Sequence, residues 1–339
     1  FFFQPHSAIP DPLWSRGLGD VYKRQWGNRT GISSCQKSDG RKPFGFYLYG
    51  TGTFIVGPPK GGTVAIIDPG PDEDDHIEAL LKAVDGQKVS HLLITHTHPD
   101  HSPAAAAVKE ATGASTFGFG SHPELAVKAY ENRVAKAIEE GKEPEPEDGE
   151  GAGDRSFVPD VYIADNEIIK GEGFTFEALH TPGHISNHVC FSLKEENTLF
   201  SGDHVMGWST TVIPAPDGDL NDYLKNMRRL TNREENIYRP THGPPIKNPI
   251  PYVESLIAHR EKRSQQILDE LSKGPAPIMS IVAEIYKDII GTFVIDDLPK
   301  SESKRIQELG LRCIITDTVM TDNAKAAGLC GTIFSKITG

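Results

Sequence analysis

The sequence is poor in several features, and each shortage excludes a class of protein. No apolar run approaches the roughly 18–20 residues that a membrane-spanning helix needs, and no signal peptide is recognisable. The four cysteines, at positions 35, 190, 313 and 330, show no CxxC spacing and no disulfide framework, which is typical of a reducing compartment. We therefore expect a soluble, cytoplasmic protein that does not enter a membrane.

Basic residues are also scarce. The chain has 35 Lys and Arg against 47 Asp and Glu, a formal net charge of −12. Nucleic acids gain affinity chiefly from contacts to basic groups, and the nearest approach to a basic patch is Lys225, Arg228 and Arg229 on a predicted helix. The composition therefore predicts no stable complex with a nucleic acid, whereas a nuclease that binds its substrate transiently would need only local positive charge.

A dense group of metal-ligand side chains follows one predicted strand, the apolar run at residues 91–94. The group consists of three histidines and an aspartate: His96, His98, Asp100 and His101. Strand alternation would place His96 and His98 on the same side, where both imidazoles can bind one ion. The chain then turns and directs Asp100 and His101 to a neighbouring point, which predicts a second ion. A solvated histidine-rich loop is the alternative, but this clustering of ligand types favours metal.

Other ligand-type residues lie at the ends of further apolar runs, in residues 65–70, 181–184, 201–204 and 240–244. The whole set, in chain order, resembles the five motifs of the metallo-β-lactamase fold of binuclear metallohydrolases over residues 50 to 248. These residues are Asp68, His96, His98, Asp100, His101, His184, Asp203 and His242.

The resemblance implies an α/β fold, the αββα sandwich, and a role for each motif residue. One ion would be bound by His96, His98 and His184, and the other by Asp100, His101 and His242. Asp203 would bridge the two ions. Asp68 would orient the ligand loop without binding metal, although an aspartate that caps the turn before Pro69 would have nearly the same geometry. A carboxylate instead of a cysteine at Asp203 is more similar to the thioester and phosphodiester branches than to the branch that cleaves β-lactams.

General principles give the chemistry of such a site. Two divalent ions about 3.5–4 Å apart share a water, lower its pKa from about 15.7 towards about 7, and stabilise the developing oxyanion. We predict a metal-bridging hydroxide as the nucleophile, and Asp100, Asp203, Asp68 and His188 as the residues that support catalysis. Zinc is favoured, while manganese or iron would suit the same imidazole and carboxylate ligands.

Three more histidines lie close to the motifs. His188, four residues after His184, is interpreted as a donor to a ligand, a contact to the leaving group of the substrate, or a structural residue. His204 is predicted to be structural, because strand alternation directs it away from Asp203, and His180 is given the same role. The hydroxyl groups of residues 209–211 are candidates for lining the substrate cleft.

A finer resemblance bears on the substrate. Residues 49–54, 201–211 and 241–246 are similar to the lactamase-beta-like subgroup that includes endoribonucleases, which favours RNA or another phosphodiester. The second choice is a small thioester, hydrolysed as in the glyoxalase II branch, which fits the acidic charge equally well. A di-iron redox centre would need a flavodoxin-like partner domain, for which the sequence shows no phosphate loop. A non-enzymatic binding scaffold is disfavoured by the complete ligand set.

The 339 residues suffice for one sizeable domain and a smaller one, and the patterns divide the chain into four parts. Residues 1–43 are expected to be an artefactual or disordered leader, because residues 20–25 resemble a translated sequencing adaptor and Met206 is the first methionine. Residues 44–250 alternate strands and helices as a catalytic sandwich does. Within them, residues 139–154 are a predicted loop, either a flap beside the site or a tolerated insertion.

The other two parts lie at the C-terminal end. Residues 251–290 predict an amphipathic helix and a second helix, and the resemblance to the lactamase-beta-like subgroup implies that they are the helical start of a winged-helix-like domain. Residues 291–339 predict a β-α-β-α pattern instead, and residues 291–297 and 309–320 are similar to the C-terminal end of a 2-phospho-L-lactate transferase. We interpret this tail as foreign or incomplete, because two parallel strands and two helices cannot cover both faces of a sheet. No transferase activity is expected.

Overall fold

The structure is a computed structural model that describes residues 32–35, 51–58, 61–144, 153–288, 290–295, 299–316 and 323–338. The first six strands are β1 (Ile32–Cys35), β2 (Thr53–Val56), β3 (Thr63–Ile67), β4 (Lys88–Leu93), β5 (Ser115–Gly118) and β6 (Val161–Tyr162). They form one sheet in the order β1-β2-β3-β4-β5-β6, with β3, β4, β5 and β6 parallel and β1 to β3 antiparallel.

The next six strands form a second sheet. They are β7 (Ile168–Gly171), β8 (Phe174–His180), β9 (Val189–Leu193), β10 (Thr198–Gly202), β11 (Ile237–Pro240) and β12 (Ile246–Lys247). Their order is β12-β11-β10-β9-β8-β7, and β10 and β11 are its parallel pair. A 3-10 helix at Lys194–Glu196 joins β9 to β10.

The helices of the described residues follow the strands in sequence order. They are α1 (Asp74–Ala83), α2 (Ala105–Thr112), α3 (Glu124–Glu139), α4 (Leu220–Leu230), α5 (Pro249–Ser272), α6 (Ile278–Tyr286), α7 (Lys300–Glu308) and α8 (Asn323–Thr338). None of the helices described is long and apolar enough to cross a membrane.

Three apolar layers hold the sandwich together. The inner faces of the two sheets meet in one layer, to which the first sheet contributes Ile67 and the second contributes Phe176 and Phe191. On β3 the neighbouring Ile66 faces the other way and packs with Leu80 of α1, as the period of two of a strand requires. A third layer lies between the second sheet and α4 and α5. The predicted αββα sandwich is confirmed.

Several short elements were not predicted. Strands β7 and β12 and helix α3 lie where no regular pattern was recognised, and β1 lies inside residues 1–43, which were expected to be an artefactual or disordered leader. Strand β1 exists because its backbone pairs antiparallel with β2, and such pairing depends on a distant edge more than on the local sequence. Residues 1–25, Tyr49, Gly50 and residues 145–152 of the predicted flap lie outside the described residues.

The C-terminal elements follow the predicted β-α-β-α order. Strands β13 (Thr292–Ile295) and β14 (Arg312–Ile315) pair in parallel. Phe293, Ile306 and Leu311 are buried in a small core together with Ala283 of α6. This core contains no residue of the sandwich among the described residues, so we propose that α6 and the tail form a separate appendage.

This arrangement predicts that Phe293→Ala loosens the appendage alone. Truncation of a buried Phe costs about 3–5 kcal/mol, so we expect faster proteolysis of residues 290–316 and unchanged metal content and hydrolysis. The matched control is Phe334→Ala, because that side chain is 70% exposed and its loss should change neither readout. A fall in hydrolysis for Phe293→Ala alone would show that the appendage supports the catalytic site.

Candidate metal centre

Five strand ends meet at one edge of the sandwich and carry the predicted site. Asp68 follows β3, the segment 96–101 follows β4, His184 follows β8, Asp203 follows β10 and His242 follows β11. His96 and His98 lie in the loop after β4, which ends at Leu93, so strand alternation is not what brings them together. All seven predicted metal ligands fall into overlapping His/Asp clusters.

The first cluster contains three histidines. His98 Nδ1 lies 2.9 Å from Nε2 of His96 and 2.9 Å from Nε2 of His184. His96 and His184 are buried, at 1% and 4% exposure. Three imidazole nitrogens at one point match the ligand chemistry of a divalent metal ion.

The second cluster contains Asp100, His101 and His242, and Asp203 lies between the two clusters. His242 Nε2 is 3.2 Å from Asp100 Oδ2 and 3.4 Å from Asp203 Oδ2. The same oxygen of Asp203 is 3.6 Å from His101 Nε2 and 3.8 Å from His184 Nε2. One carboxylate oxygen is therefore within reach of ligands from both clusters, as a shared ligand must be.

Asp68 controls which nitrogen of two histidines carries the proton. Its carboxylate accepts hydrogen bonds from the Thr95 backbone N–H (2.8 Å), from Thr95 Oγ1 (2.7 Å) and from His101 Nδ1 (3.0 Å). Since the Thr95 hydroxyl donates to Asp68, it accepts from His96 Nδ1 at 3.0 Å. A proton of each of His96 and His101 is thereby placed on Nδ1, so that Nε2 is the nitrogen each can present to a ligand, in the case of His101 after it releases its second proton.

His184 is oriented by the loop that follows β10. Its Nδ1 donates to the carbonyl oxygen of Val212 at 2.6 Å and lies 3.2 Å from Thr211 Oγ1. The preceding Gly183 has φ +142°, and a Cβ there would lie 2.4 Å from Tyr223 Cα, so only glycine allows this close approach to α4. Because the proton of His184 lies on Nδ1, the lone pair of its Nε2 is available to a ligand.

Two buried polar atoms test whether these residues suit metal. His101 Nε2 and Asp203 Oδ1 have no hydrogen-bond partner among the described residues. Leaving such groups unpaired in a protein interior is costly, and a bound cation would satisfy both. Together with the orientation of His96, His101 and His184, these atoms fit a pair of divalent ions.

The protonation of the two clusters differs. Burial and the neighbouring His101 hold the pKa of His96 well below its usual value. Burial and the neighbouring His184 do the same to the pKa of His98, and burial lowers the pKa of His184. Burial also opposes protonation of His242, but Asp203 and Asp100 outweigh it and raise its pKa to about 10.

His101 follows the same rule as His242. Burial opposes its protonation, yet Asp100, Asp203 and Asp68 raise its pKa well above the usual value. Without metal, the second cluster therefore carries protons at neutral pH that the first cluster lacks.

This asymmetry predicts the order in which metal is lost on acidification. Ligands must be deprotonated to bind, so metal binding at His101 and His242 has to release protons, whereas His96, His98 and His184 are already neutral. As the pH falls below about 10, the pKa of His242, protons compete with metal at the second cluster first, so we expect the metal content to drop from two ions to one before the first cluster is emptied. Metal analysis after dialysis at stepped pH measures this.

The matched variant for this prediction is His242→Ala. It should hold one ion across the same pH range and release fewer protons on metal binding, measured by calorimetry in buffers of different ionisation enthalpy. Simultaneous loss of both ions from the wild-type protein would contradict the predicted order.

The other predicted histidines lie outside the ligand clusters. His188 is fully buried; its Nε2 accepts from the Asp203 backbone N–H (3.1 Å) and its Nδ1 is 2.9 Å from Thr181 Oγ1. Both nitrogens thus contact protein groups, a geometry that suits support of Asp203 better than contact with a leaving group, and its role stays a prediction. His204 is buried against Tyr223, and His180 Nε2 contacts the Ser186 carbonyl.

A cleft that is open to solvent lies beside the first cluster. His98 and His184 form one part of its lining, and the walls come from α3 and from the segment 214–217. Sequence reasoning did not identify His122, Arg133 or Asp217, which also line the cleft. They lie far apart in sequence with no ligand-like spacing, so no local pattern indicated them.

A family model described as the metallo-beta-lactamase superfamily matches residues 48–242. The lactamase-like protein adaB of Aspergillus niger is 32% identical over 239 residues, which cover 70% of this chain and 63% of that protein. An atrochrysone carboxyl ACP thioesterase of Paecilomyces divaricatus is 29% identical over 279 residues, 80% of this chain and 76% of that protein.

Solved structures show the same fold. A metallo-beta-lactamase family protein from Thermus thermophilus superposes with a TM-score of 0.59 at 22% identity, covering 76% of this chain and 87% of the other.

Proposed function

The chain belongs to the metallo-β-lactamase superfamily, and we propose on that basis that it is a binuclear metal-dependent hydrolase. The observation that carries the proposal is the overlap of the clusters: His96 and His101 each belong to two of the three ligand groups, and Asp203 Oδ2 lies within 4 Å of His184, His101 and His242. When bound, such a pair of ions supplies activation of water and stabilisation of negative charge. The ligand assignment and the preference for zinc remain as predicted from the sequence.

We propose a thioester as the substrate class. The relative from Paecilomyces divaricatus is named as a thioesterase acting on an acyl carrier protein, and a second relative, from Pseudocercospora fijiensis, carries the same name at 29% identity. The charge of −12 gives a nucleic acid little to bind. Hydrolysis would add water across the acyl–sulfur bond and release a carboxylic acid and a thiol.

The cleft supports this choice. Its lining combines small apolar residues, among them Ala126, Ile185 and Pro214, with Arg133 and Asp217. Such a mixture suits an acyl or amide-bearing chain better than a polyanion, because a polyanion needs several cationic contacts. The carbonyl to be attacked would lie at the His98 and His184 end, with the rest of the substrate along α3.

Parallel assays of one metal-loaded preparation test the proposal. S-lactoylglutathione and an acyl-pantetheine thioester are compared with bis-p-nitrophenyl phosphate and single-stranded RNA, alongside metal analysis. We expect two ions per chain and turnover of a thioester. Cleavage of the diester or RNA without thioester turnover would replace the substrate class by the phosphodiester predicted from the sequence, and a chain that binds no metal would overturn the proposal as a whole.

A further inference from the structure

Helix α5 lies beyond the residues that the family model matches, yet it contacts the loop that orients His184. Val253 and Ile257 of α5 belong to the same apolar layer as Tyr223 of α4. One turn further along, Arg260 is half-buried, and its guanidinium lies 5.5 Å from the centre of the Tyr223 ring. The helix therefore packs on the sandwich and directs a cation towards the loop after β10.

Arg260 donates two hydrogen bonds to that loop. Its Nε donates to Thr210 Oγ1 at 2.8 Å, and its Nη2 donates to the carbonyl oxygen of Thr211. Arginine suits this task because its planar fork can serve two acceptors at once. Burial lowers the pKa of the guanidinium, and the neighbouring Tyr223 opposes that effect.

The loop that accepts these hydrogen bonds from Arg260 also orients His184. The next backbone carbonyl, that of Val212, accepts the proton of His184 Nδ1 at 2.6 Å, and Thr211 Oγ1 lies 3.2 Å from the same nitrogen. A carbonyl can only accept, so its position decides that His184 presents an unprotonated Nε2. The path from Arg260 to the ligand runs through Thr211 and Val212, which are neighbours in sequence.

We propose that Arg260 is a positioning residue for the metal ligand His184, and that the catalytic unit therefore includes α5. The inference rests on the proposed metal centre. Loss of Arg260 leaves the segment 210–212 without its two side-chain anchors, so the Val212 carbonyl no longer holds the imidazole in one orientation. Loss of groups that orient metal-binding histidines typically lowers metal affinity about 10–100-fold.

The test is a Co²⁺ titration of the metal-free full-length protein, followed by the visible absorption of the bound ion and by competition with a chelator. For Arg260→Ala we expect the affinity of one of the two ions to fall about 10–100-fold, with partial recovery when guanidinium is added at low concentration. Arg260→Lys should lie between the alanine variant and the wild type, because an ammonium group cannot serve both acceptors in the same geometry.

The matched control is Arg263→Ala on the same helix. Arg263 stacks on Tyr286 of α6 at 4.4 Å and donates to Gln266, so its removal should lower thermal stability without changing Co²⁺ affinity. Unchanged affinity in Arg260→Ala, or an equal loss in Arg263→Ala, would overturn the positioning role. If Arg260→Ala does not fold, the Co²⁺ affinity of Arg260→Lys in the same titration decides whether Arg260 positions His184. Wild-type protein that binds no Co²⁺ would instead overturn the metal centre itself.

Discussion

Asp203→Ala is expected to lower kcat/KM at least about 1,000-fold, equivalent to about 4 kcal/mol of transition-state stabilisation. The reason is the position of one oxygen, Asp203 Oδ2, which lies 3.4 Å from His242 Nε2, 3.6 Å from His101 Nε2 and 3.8 Å from His184 Nε2. Its removal takes a ligand from both proposed ions at once. Metal analysis should show fewer than two ions per chain, and the thioester assay gives the loss of rate.

Asp85→Ala is the control for this prediction, because Asp85 is exposed near the end of α1 and lies outside the His/Asp clusters. It should retain both ions and the full rate. The folded state of Asp203→Ala can be checked by its melting temperature without metal, which we expect to be lower than that of the wild type, because Asp203 is the buried partner of the protonated His101 and His242. Full activity of Asp203→Ala would refute the role of a shared ligand.

Asp68→Ala is expected to reduce both stability and metal binding. Asp68 is 1% exposed and accepts hydrogen bonds from Thr95 and His101. Removal of the Asp68 carboxylate leaves these buried donors without an acceptor. Since removal of one partner of a buried charge pair costs about 3–5 kcal/mol, we expect a loss of that size in the free energy of unfolding. The orientation of His96 and His101 is lost with it, so metal affinity should fall about 10–100-fold. Urea unfolding of the metal-free protein and chelator competition measure the two effects.

Asp68→Asn separates the effect of losing the carboxylate charge from the effect of the backbone conformation at residue 68. Asp68 has φ +49°, a left-handed conformation that asparagine tolerates and that costs alanine about 1–2 kcal/mol. The asparagine variant keeps an oxygen for the Thr95 N–H but presents an amide towards other donors, so it should be more stable than Asp68→Ala while metal binding stays weak. Metal affinity like that of the wild type in Asp68→Asn would contradict the orienting role of the carboxylate.

The extent to which the sequence predicted the fold depends on the element. The second helix predicted within residues 251–290 matches α6, and the first strand of the pattern predicted for residues 291–339 matches β13, because each has a clear apolar period next to Gly or Pro. Strands β7 and β12 were missed since they are short and take their conformation from pairing with β8 and β11. Such pairing joins distant residues, which local patterns do not encode.

The sequence by itself determined the candidate ligands of this protein, because imidazoles and carboxylates at strand ends, in the order from Asp68 to His242, form a rare and local signal. It also indicated the αββα class, through the resemblance that those residues carry and through the alternation of predicted strands and helices. Only the tertiary structure decided which nitrogen each histidine presents, since the protons of His96, His101 and His184 are placed by Asp68, Thr95 and the Val212 carbonyl. It alone brought Arg260 to Thr210, fifty positions away, because helix packing follows the shape and burial of whole faces and leaves no motif in the chain.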